Sequence, residues 1–247
     1  MDQEKTGDNQ GAGEQRVLVS TESPAINLER DAKGGIVVTR RPKVTLVMLS
    51  GGIDSVYTLV KLLRETRDEI LVHHVDLINQ EDRFRIEGKR CLEIVNYCRE
   101  TYRDFSFSQS AVDHRGFRFF GYDMVTVGFE AGIVAHSYLM AKGRPVDRWT
   151  VGTCTEEGHW EERFKHVEAC VAANCFPEAP PSFFLLPMVT KREEMDYLPE
   201  RLVDICWTCR TPVKTEDGVE ECGECKTCEL MIDVRQERAR ALVAEPA

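Results

Sequence analysis

Six residues, Ser50-Gly51-Gly52-Ile53-Asp54-Ser55, stand between an apolar run, Val44 to Leu49, and an amphipathic stretch, Asp54 to Arg64. The apolar run reads as a buried strand. The amphipathic stretch reads as a helix, because Val56, Leu59, Val60 and Leu63 fall on one face. A strand that turns through two glycines straight into a helix is the feature that most constrains this fold. Glycine lets the backbone turn tightly and approach an anion with no Cβ in the way. The helix start adds unpaired N–H groups and the positive end of its dipole. Leu49, Ser50, Gly51, Gly52, Ile53, Asp54 and Ser55 are therefore the expected phosphate-contacting set, with Ser50 and Ser55 as hydroxyl donors. Asp54 is expected either to cap the helix or to place a magnesium ion between phosphates. No Gly-Lys-Ser/Thr follows, so the loop is not a Walker loop, and it is not the dinucleotide fingerprint.

Downstream, strand-like and helix-like segments alternate. Ile70–Leu77, Asp104–Phe107, Arg148–Val151 and Phe183–Leu186 read as strands. Arg83–Glu100, Val125–Met140 and Trp160–Ala173 read as helices, the last with Trp160, Phe164, Val167 and Val171 on one face. Such alternation predicts an α/β fold, a Rossmann-like doubly wound parallel sheet covered by helices, with ligands at the carboxyl ends of the strands. Three regions are expected: a disordered or loosely attached arm over 1–41, with a short strand at Ile36-Val37-Val38; an ATP-binding α/β domain over 42–205; and a zinc-binding cysteine segment with a C-terminal helix over 206–247.

The chain of 247 residues carries a formal charge of -10, which disfavours non-specific attraction to nucleic acid. No uninterrupted apolar stretch approaches the roughly 20 residues of a membrane span, and residues 1–35 lack the apolar core of a signal peptide. A soluble, cytoplasmic protein that does not bind nucleic acid directly is expected. Of ten cysteines, Cys91, Cys98, Cys154, Cys170 and Cys175 are scattered and read as small buried residues. Cys222-Gly-Glu-Cys225-Lys-Thr-Cys228 and the upstream Cys209 have the spacing of a four-thiolate zinc site. Cys206 could replace Cys209 as the fourth ligand, and an iron–sulfur cluster is the alternative occupant.

The loop resembles that of the PP-loop, or N-type, ATP pyrophosphatase superfamily, with the adenine nucleotide alpha hydrolase-like sheet. That resemblance implies that the loop holds the β- and γ-phosphates of ATP while a substrate nucleophile attacks the α-phosphate. Together with Thr208-Cys209, Cys222-Gly-Glu-Cys225-Lys-Thr-Cys228 and Leu186-Pro187 ahead of Lys191, the chain resembles 7-cyano-7-deazaguanine synthases from about Val44 to Leu230. The resemblance implies a ligase with ATP, zinc and magnesium as cofactors, and ammonia and a 7-deazapurine carboxylate as partners. Asp54, Ser55 and Lys191 are its catalytic set, with Lys191 neutralising phosphate charge. A homodimer is compatible with it.

The middle of the chain departs from that family. Its Pro-Gly-Arg-Asn segment is replaced by Thr126-Val-Gly128-Phe129-Glu130, and the loop after the fourth strand reads Gly152-Thr-Cys154-Thr-Glu-Glu-Gly-His159-Trp160. Glu156, Glu157 and Trp160 remain candidates for holding a purine-like base. Asn79-Gln80 matches a family segment near the nucleotide. His159 and His166 read as ordinary histidines. A PP-loop enzyme that modifies tRNA, or a related enzyme with a different acceptor, stays open.

Overall fold

The computed structural model describes residues 26–30, 36–118, 121–158, 161–216 and 218–244. Backbone contacts divide the chain into two compact units, Met1–Arg41 and Pro42–Ala247. In the first, strand β1 (Ile26–Arg30) pairs antiparallel with β2 (Ile36–Arg40), Leu28 opposite Val38. Strand β2 contains the segment expected at Ile36-Val37-Val38. The rest of the arm expected to be disordered, residues 1–25 and 31–35, lies outside the described residues.

The second unit is built on a five-stranded sheet in the order β5-β4-β3-β6-β7. Its strands are β3 (Val44–Met48), β4 (Glu69–Ile78), β5 (Ser106–Asp113), β6 (Arg148–Thr150) and β7 (Ser182–Phe183), and every neighbouring pair is parallel. Strand β3 lies at the centre, with Leu46 level with Leu71 on one side and Trp149 on the other. Alternate residues of β3 feed two cores, as a pleated strand requires. Val47 and the following Leu49 join a core with Val56, Leu59 and Leu63 of α1 (Ile53–Glu65) and Cys91, Val95 and Cys98 of α2 (Phe84–Thr101). Val44, Leu46 and Met48 join the opposite core with Ala131 of α3 (Asp123–Lys142) and Phe164, Val167 and Val171 of α4 (Glu161–Cys175). Helices thus cover both faces of a parallel sheet, the expected Rossmann-like α/β arrangement, with the antiparallel pairs as additions.

Several elements differ from the sequence pattern. Strand β5 runs to Asp113, well beyond the predicted Phe107. It is an edge strand rich in serine, and its polar residues carry no apolar signal. Strand β7 stops at Phe183, short of the predicted Leu186. Two short helices, α5 (Lys191–Tyr197) and α6 (Glu200–Ile205), follow it. Helix α5 begins with a reciprocal capping box between Thr190 and Glu193. A hairpin, β8 (Val213–Thr215) and β9 (Gly218–Glu220), then leads to the last helix, α7 (Lys226–Ala244).

Helix α3 turns its small residues inward. A Cβ on Gly128 would lie 2.5 Å from Val167 Cγ1, and one on Gly132 would lie 2.6 Å from the Val171 carbonyl oxygen. The larger Val125, Phe129, Ile133 and Met140 face outward. By length and composition α3 could cross a membrane, and it is the one such helix among the described residues. It contains Glu130 and rests on α4 through its glycines.

Because a carbonyl and Asn174 Cβ flank Gly132, the helices have no soft neighbour to yield. Gly132→Ala should destabilise by about 1–3 kcal/mol and lower Tm by roughly 2–12 °C. Met140→Ala, on the outer face, should shift Tm by no more than about 2 °C in the same thermal melt.

Candidate active site and metal centre

The loop begins where β3 ends, at the carboxyl edge of the sheet. Leu49 closes the strand, its N–H donating to the His73 carbonyl at 2.8 Å. Gly51 has φ +82°, in the left-handed region, and a Cβ there would lie 3.1 Å from Cys91 Sγ. Only glycine meets both conditions. The two serines knit the turn together. Ser50 N–H donates to Ser55 Oγ at 3.2 Å, the two hydroxyls lie 3.0 Å apart, and Ser55 Oγ donates to the Gly52 carbonyl at 2.9 Å. Gly52 N–H donates to Ser50 Oγ at 3.3 Å. Ser55 is buried, so its hydroxyl shapes the loop, and Ser50 is the exposed member that an anion can reach.

Helix α1 starts at Ile53 with Gly52 as N-cap and no side-chain cap. Its first-turn N–H groups have no intrahelical acceptor, the usual basis of an anion site. Asp54 does not cap the helix as one reading allowed. It forms an ion pair with Lys191 Nζ from the start of α5. Lys191 is 5% exposed, which excludes a solvated surface lysine. Burial alone would pull the Lys191 ammonium down, but the Asp54 carboxylate beside it raises it and keeps it charged. Burial likewise pushes Asp54 up, and the Lys191 charge together with hydrogen bonds from Glu194, Lys191 and Cys154 outweighs that, leaving Asp54 below its usual range. Glu194, wholly buried one turn along α5, is pushed up to about 10, by burial first and by Asp54 second. Asp54 is therefore the charged carboxylate of the pair and Glu194 the neutral one.

Around this core the chain closes tightly. A Cβ on Gly152, just past β6, would lie 2.1 Å from Ser55 N, so the backbone after β6 presses on the first turn of α1. Glu156 accepts the Lys191 N–H at 2.9 Å and thereby helps to start α5. The Glu157 side chain, His159 and Trp160 lie outside the described residues, and His166 is exposed on α4. Asn79 is buried, its Oδ1 accepting the Glu81 N–H at 2.9 Å in the turn after β4, and Gln80 is exposed. Glu130 points inward and accepts from Ser110 Oγ at 2.8 Å, whereas Phe129 is 47% exposed.

Cys209, Cys222, Cys225 and Cys228 converge, with all four sulfurs within 4.8 Å of one another. Ligands at about 2.3 Å around one tetrahedral ion stand roughly 3.8 Å apart, and Cys222 Sγ and Cys228 Sγ are 3.9 Å apart. Backbone amides also point at the sulfurs. Cys222 N–H lies 3.3 Å from Cys209 Sγ, and Cys225 N–H lies 3.3 Å from Cys222 Sγ. Such donors stabilise thiolates, so the quartet fits a metal ion. Cys206 is not part of it. It is buried in the α1–α2 core, where burial pushes its thiol up strongly. Cys91, Cys98, Cys154 and Cys175 are buried as expected, whereas Cys170 is only partly so.

The cysteine segment touches the loop directly. Trp207 N–H donates to the Gly51 carbonyl at 2.9 Å, and its indole Nε1–H donates to the Cys209 carbonyl at 3.0 Å. Sequence reasoning missed Trp207 and Glu194. Nothing marks the first. The second has one signal, its position three residues after Lys191, which puts both on one helical face.

No family model matches the chain, and no curated protein matches it. Among solved structures it is similar to a U34-tRNA thiolase from Methanococcus maripaludis with a [4Fe-4S] cluster, at 11% identity and TM-score 0.44, covering 81% of this chain and 66% of the other. It is also similar to a 4-thiouridine synthetase in an RNA complex with bound ATP, at 13% identity and TM-score 0.41, covering 91% and 61%. An NMN synthetase from Francisella tularensis matches at 12% identity and TM-score 0.30, covering 80% and 85%. The chain thus spans 66% and 61% of the length of the first two.

The raised Glu194 has a consequence for stability. An ordinary glutamate ionises near 4.5 and this one near 10, so the folded state binds a proton that the unfolded state releases in between. The group's stabilisation is complete below pH 4.5 and is lost as pH rises toward 10. Glu194→Gln cannot ionise. Its stability relative to wild type should rise by about 1–4 kcal/mol between pH 5 and 8 in denaturant titrations. Parallel curves would show an ionised Glu194.

Proposed function

We propose that this chain is an ATP-dependent ligase that releases pyrophosphate and adenylates a small carboxylate. One observation carries the proposal: a glycine turn at the carboxyl end of the central strand opens onto the uncapped start of α1, beside the buried Lys191–Asp54 pair. Amides and a helix dipole suit a polyphosphate. Asp54 is the carboxylate suited to magnesium, and Lys191 is the cation suited to the phosphates. With a nucleotide bound, Lys191 would turn to the phosphates and Asp54 would be free to hold a magnesium ion.

The acceptor proposed is a 7-deazapurine carboxylate, the substrate class of the enzymes that the Leu186-Pro187, Lys191 and cysteine segments resemble. Its carboxylate oxygen attacks the α-phosphorus, the bond from that phosphorus to the β-phosphate bridging oxygen breaks, and pyrophosphate leaves. Ammonia attacks the acyl carbon, AMP departs and a proton is lost, leaving the amide. A second ATP activates the amide oxygen with loss of pyrophosphate, and departure of AMP and two protons leaves the nitrile. Loop amides and Lys191 act on the leaving pyrophosphate as its charge grows. Zinc in the cysteine quartet would serve structure, holding the tail through four thiolates. The protein would act in the cytoplasm on a small molecule and not on nucleic acid.

An assay with ATP, 7-carboxy-7-deazaguanine and ammonia should yield AMP, pyrophosphate and the nitrile by mass spectrometry. Asp54→Ala and Ser55→Ala should each lower AMP formation by at least about 100-fold. Wild-type turnover in both would remove the site, and AMP formed only with other carboxylates would remove the substrate. Cys225→Ser should lose most bound zinc by elemental analysis and melt at a lower temperature. Unchanged zinc content would refute the quartet.

A further inference from the structure

Beneath the phosphate loop lies a polar group that the proposed reaction leaves unused. His74 of β4 is 2% exposed and faces the α1–α2 side of the sheet, between Val72 and the loop. Its Nδ1 is 2.7 Å from the Leu49 carbonyl oxygen, the last acceptor before Ser50. A carbonyl only accepts, so Nδ1 carries a proton. Its Nε2 is 3.3 Å from Asp76 Oδ1, close enough for an ion pair but not aligned as a hydrogen bond. A bare nitrogen lone pair against a carboxylate is repulsive, so the contact favours a proton on Nε2 as well, which would make the ring a buried imidazolium.

The surroundings orient this charge. Asp76 accepts from Gln109 Nε2 of β5 and sits against Gly88 of α2, where a Cβ would lie 2.8 Å from its carboxylate oxygen. The negative end of the pair is therefore drawn toward β5 and away from β3. The positive end faces β3 and the loop. Cys91 Sγ completes the brace, 3.3 Å from His74 Nδ1 and 3.1 Å from where a Gly51 Cβ would be. Glu87 of α2 also faces the ring but is paired with Arg83 at 3.0 Å, and His73 points to the opposite face against Ser108 and Ser110. Burial alone would lower the His74 pKa. The Asp76 contact, with Cys91 and the Leu49 carbonyl, overrides it and raises the value to about 10.

We propose that His74 is a positioning residue of the phosphate loop, an imidazolium braced between Asp76, Cys91 and the Leu49 carbonyl that fixes the Leu49–Gly51 backbone and places a permanent positive charge behind the anion. This rests on the reading of the loop as a triphosphate site and deepens it, since it assigns part of the electrostatics to a side chain that never touches the ligand. A unit charge about 8 Å from a phosphate, in surroundings of effective dielectric about 20, is worth on the order of tenfold in binding after screening.

Binding of ATP, inorganic pyrophosphate and adenosine is measured by calorimetry for wild type, His74→Gln and Asp76→Asn from pH 6 to 8.5. His74→Gln should weaken ATP and pyrophosphate on the order of tenfold and leave adenosine unchanged. Asp76→Asn removes the counter-charge, so His74 should lose its proton within this range. Affinity for pyrophosphate should then fall severalfold as pH rises, while the wild-type profile shows no such loss. A merely structural role would shift affinity without that pH dependence. Ring ¹⁵N shifts of wild-type His74 should show both nitrogens protonated at pH 7.5, a measurement that needs no variant to fold. A neutral ring, unchanged pyrophosphate binding in a folded His74→Gln, or parallel pH profiles for Asp76→Asn and wild type would overturn the proposal. Wild-type protein that binds neither ATP nor pyrophosphate would instead sink the reading of the loop, whatever the state of His74.

Discussion

The ion pair between Asp54 and Lys191 joins residues 137 positions apart and ties the first turn of α1 to the start of α5. Neither group is well solvated, and burying two charges costs several kcal/mol that their attraction only partly returns. Glu194 adds a third ionisable group and relieves the crowding by holding a proton. Removing either charged partner would strand the other in low dielectric. A pair of this kind is weak evidence for stability and better evidence for a site that trades partners. On the proposed reading, phosphates and a divalent cation would supply the charges that each member would otherwise lack.

The loop beside that pair owes its shape to contacts from three directions. Cys91 fills the space under Gly51, the backbone at Gly152 presses on Ser55 N, and Trp207 holds the Gly51 carbonyl. Internal bonds between Ser50 and Ser55 complete it. Few of the loop's own polar groups are left to rearrange, which lowers the reorganisation cost when an anion arrives.

Trp207 also places the cysteine quartet in mechanical contact with the loop. The segment from Cys206 onward includes only a three-residue-per-strand hairpin and one helix beyond its thiols. Cys206, Met231 and Val234 of this segment join the α1–α2 core, whereas the thiols' own cluster consists of Trp207, Cys209 and Cys228 with a few partly buried neighbours. So small an apolar group does little to offset the entropy of ordering the stretch between Cys209 and Cys228, and four thiolates around one ion would do so. The backbone of Trp207 is then as fixed as the knot that follows it.

Local pattern alone was sufficient for the parallel α/β layout, the strand–glycine–helix junction and the cysteine quartet. Val44 to Leu49, Gly51 and the Cys-x-x-Cys spacing each carry their own physical reason within a few residues. The long polar edge strand β5 was hidden because pairing with β4, not apolar periodicity, makes it a strand. Likewise, α3 buries its glycines and shows its large residues, an inversion set by how closely α4 approaches. Only the tertiary structure decided that Asp54 pairs with Lys191 and caps nothing, that Glu194 is buried beside them, and that His74 stands under the loop. Ionisation depends on burial and on charges brought from distant segments, so no reading of neighbouring letters contains it.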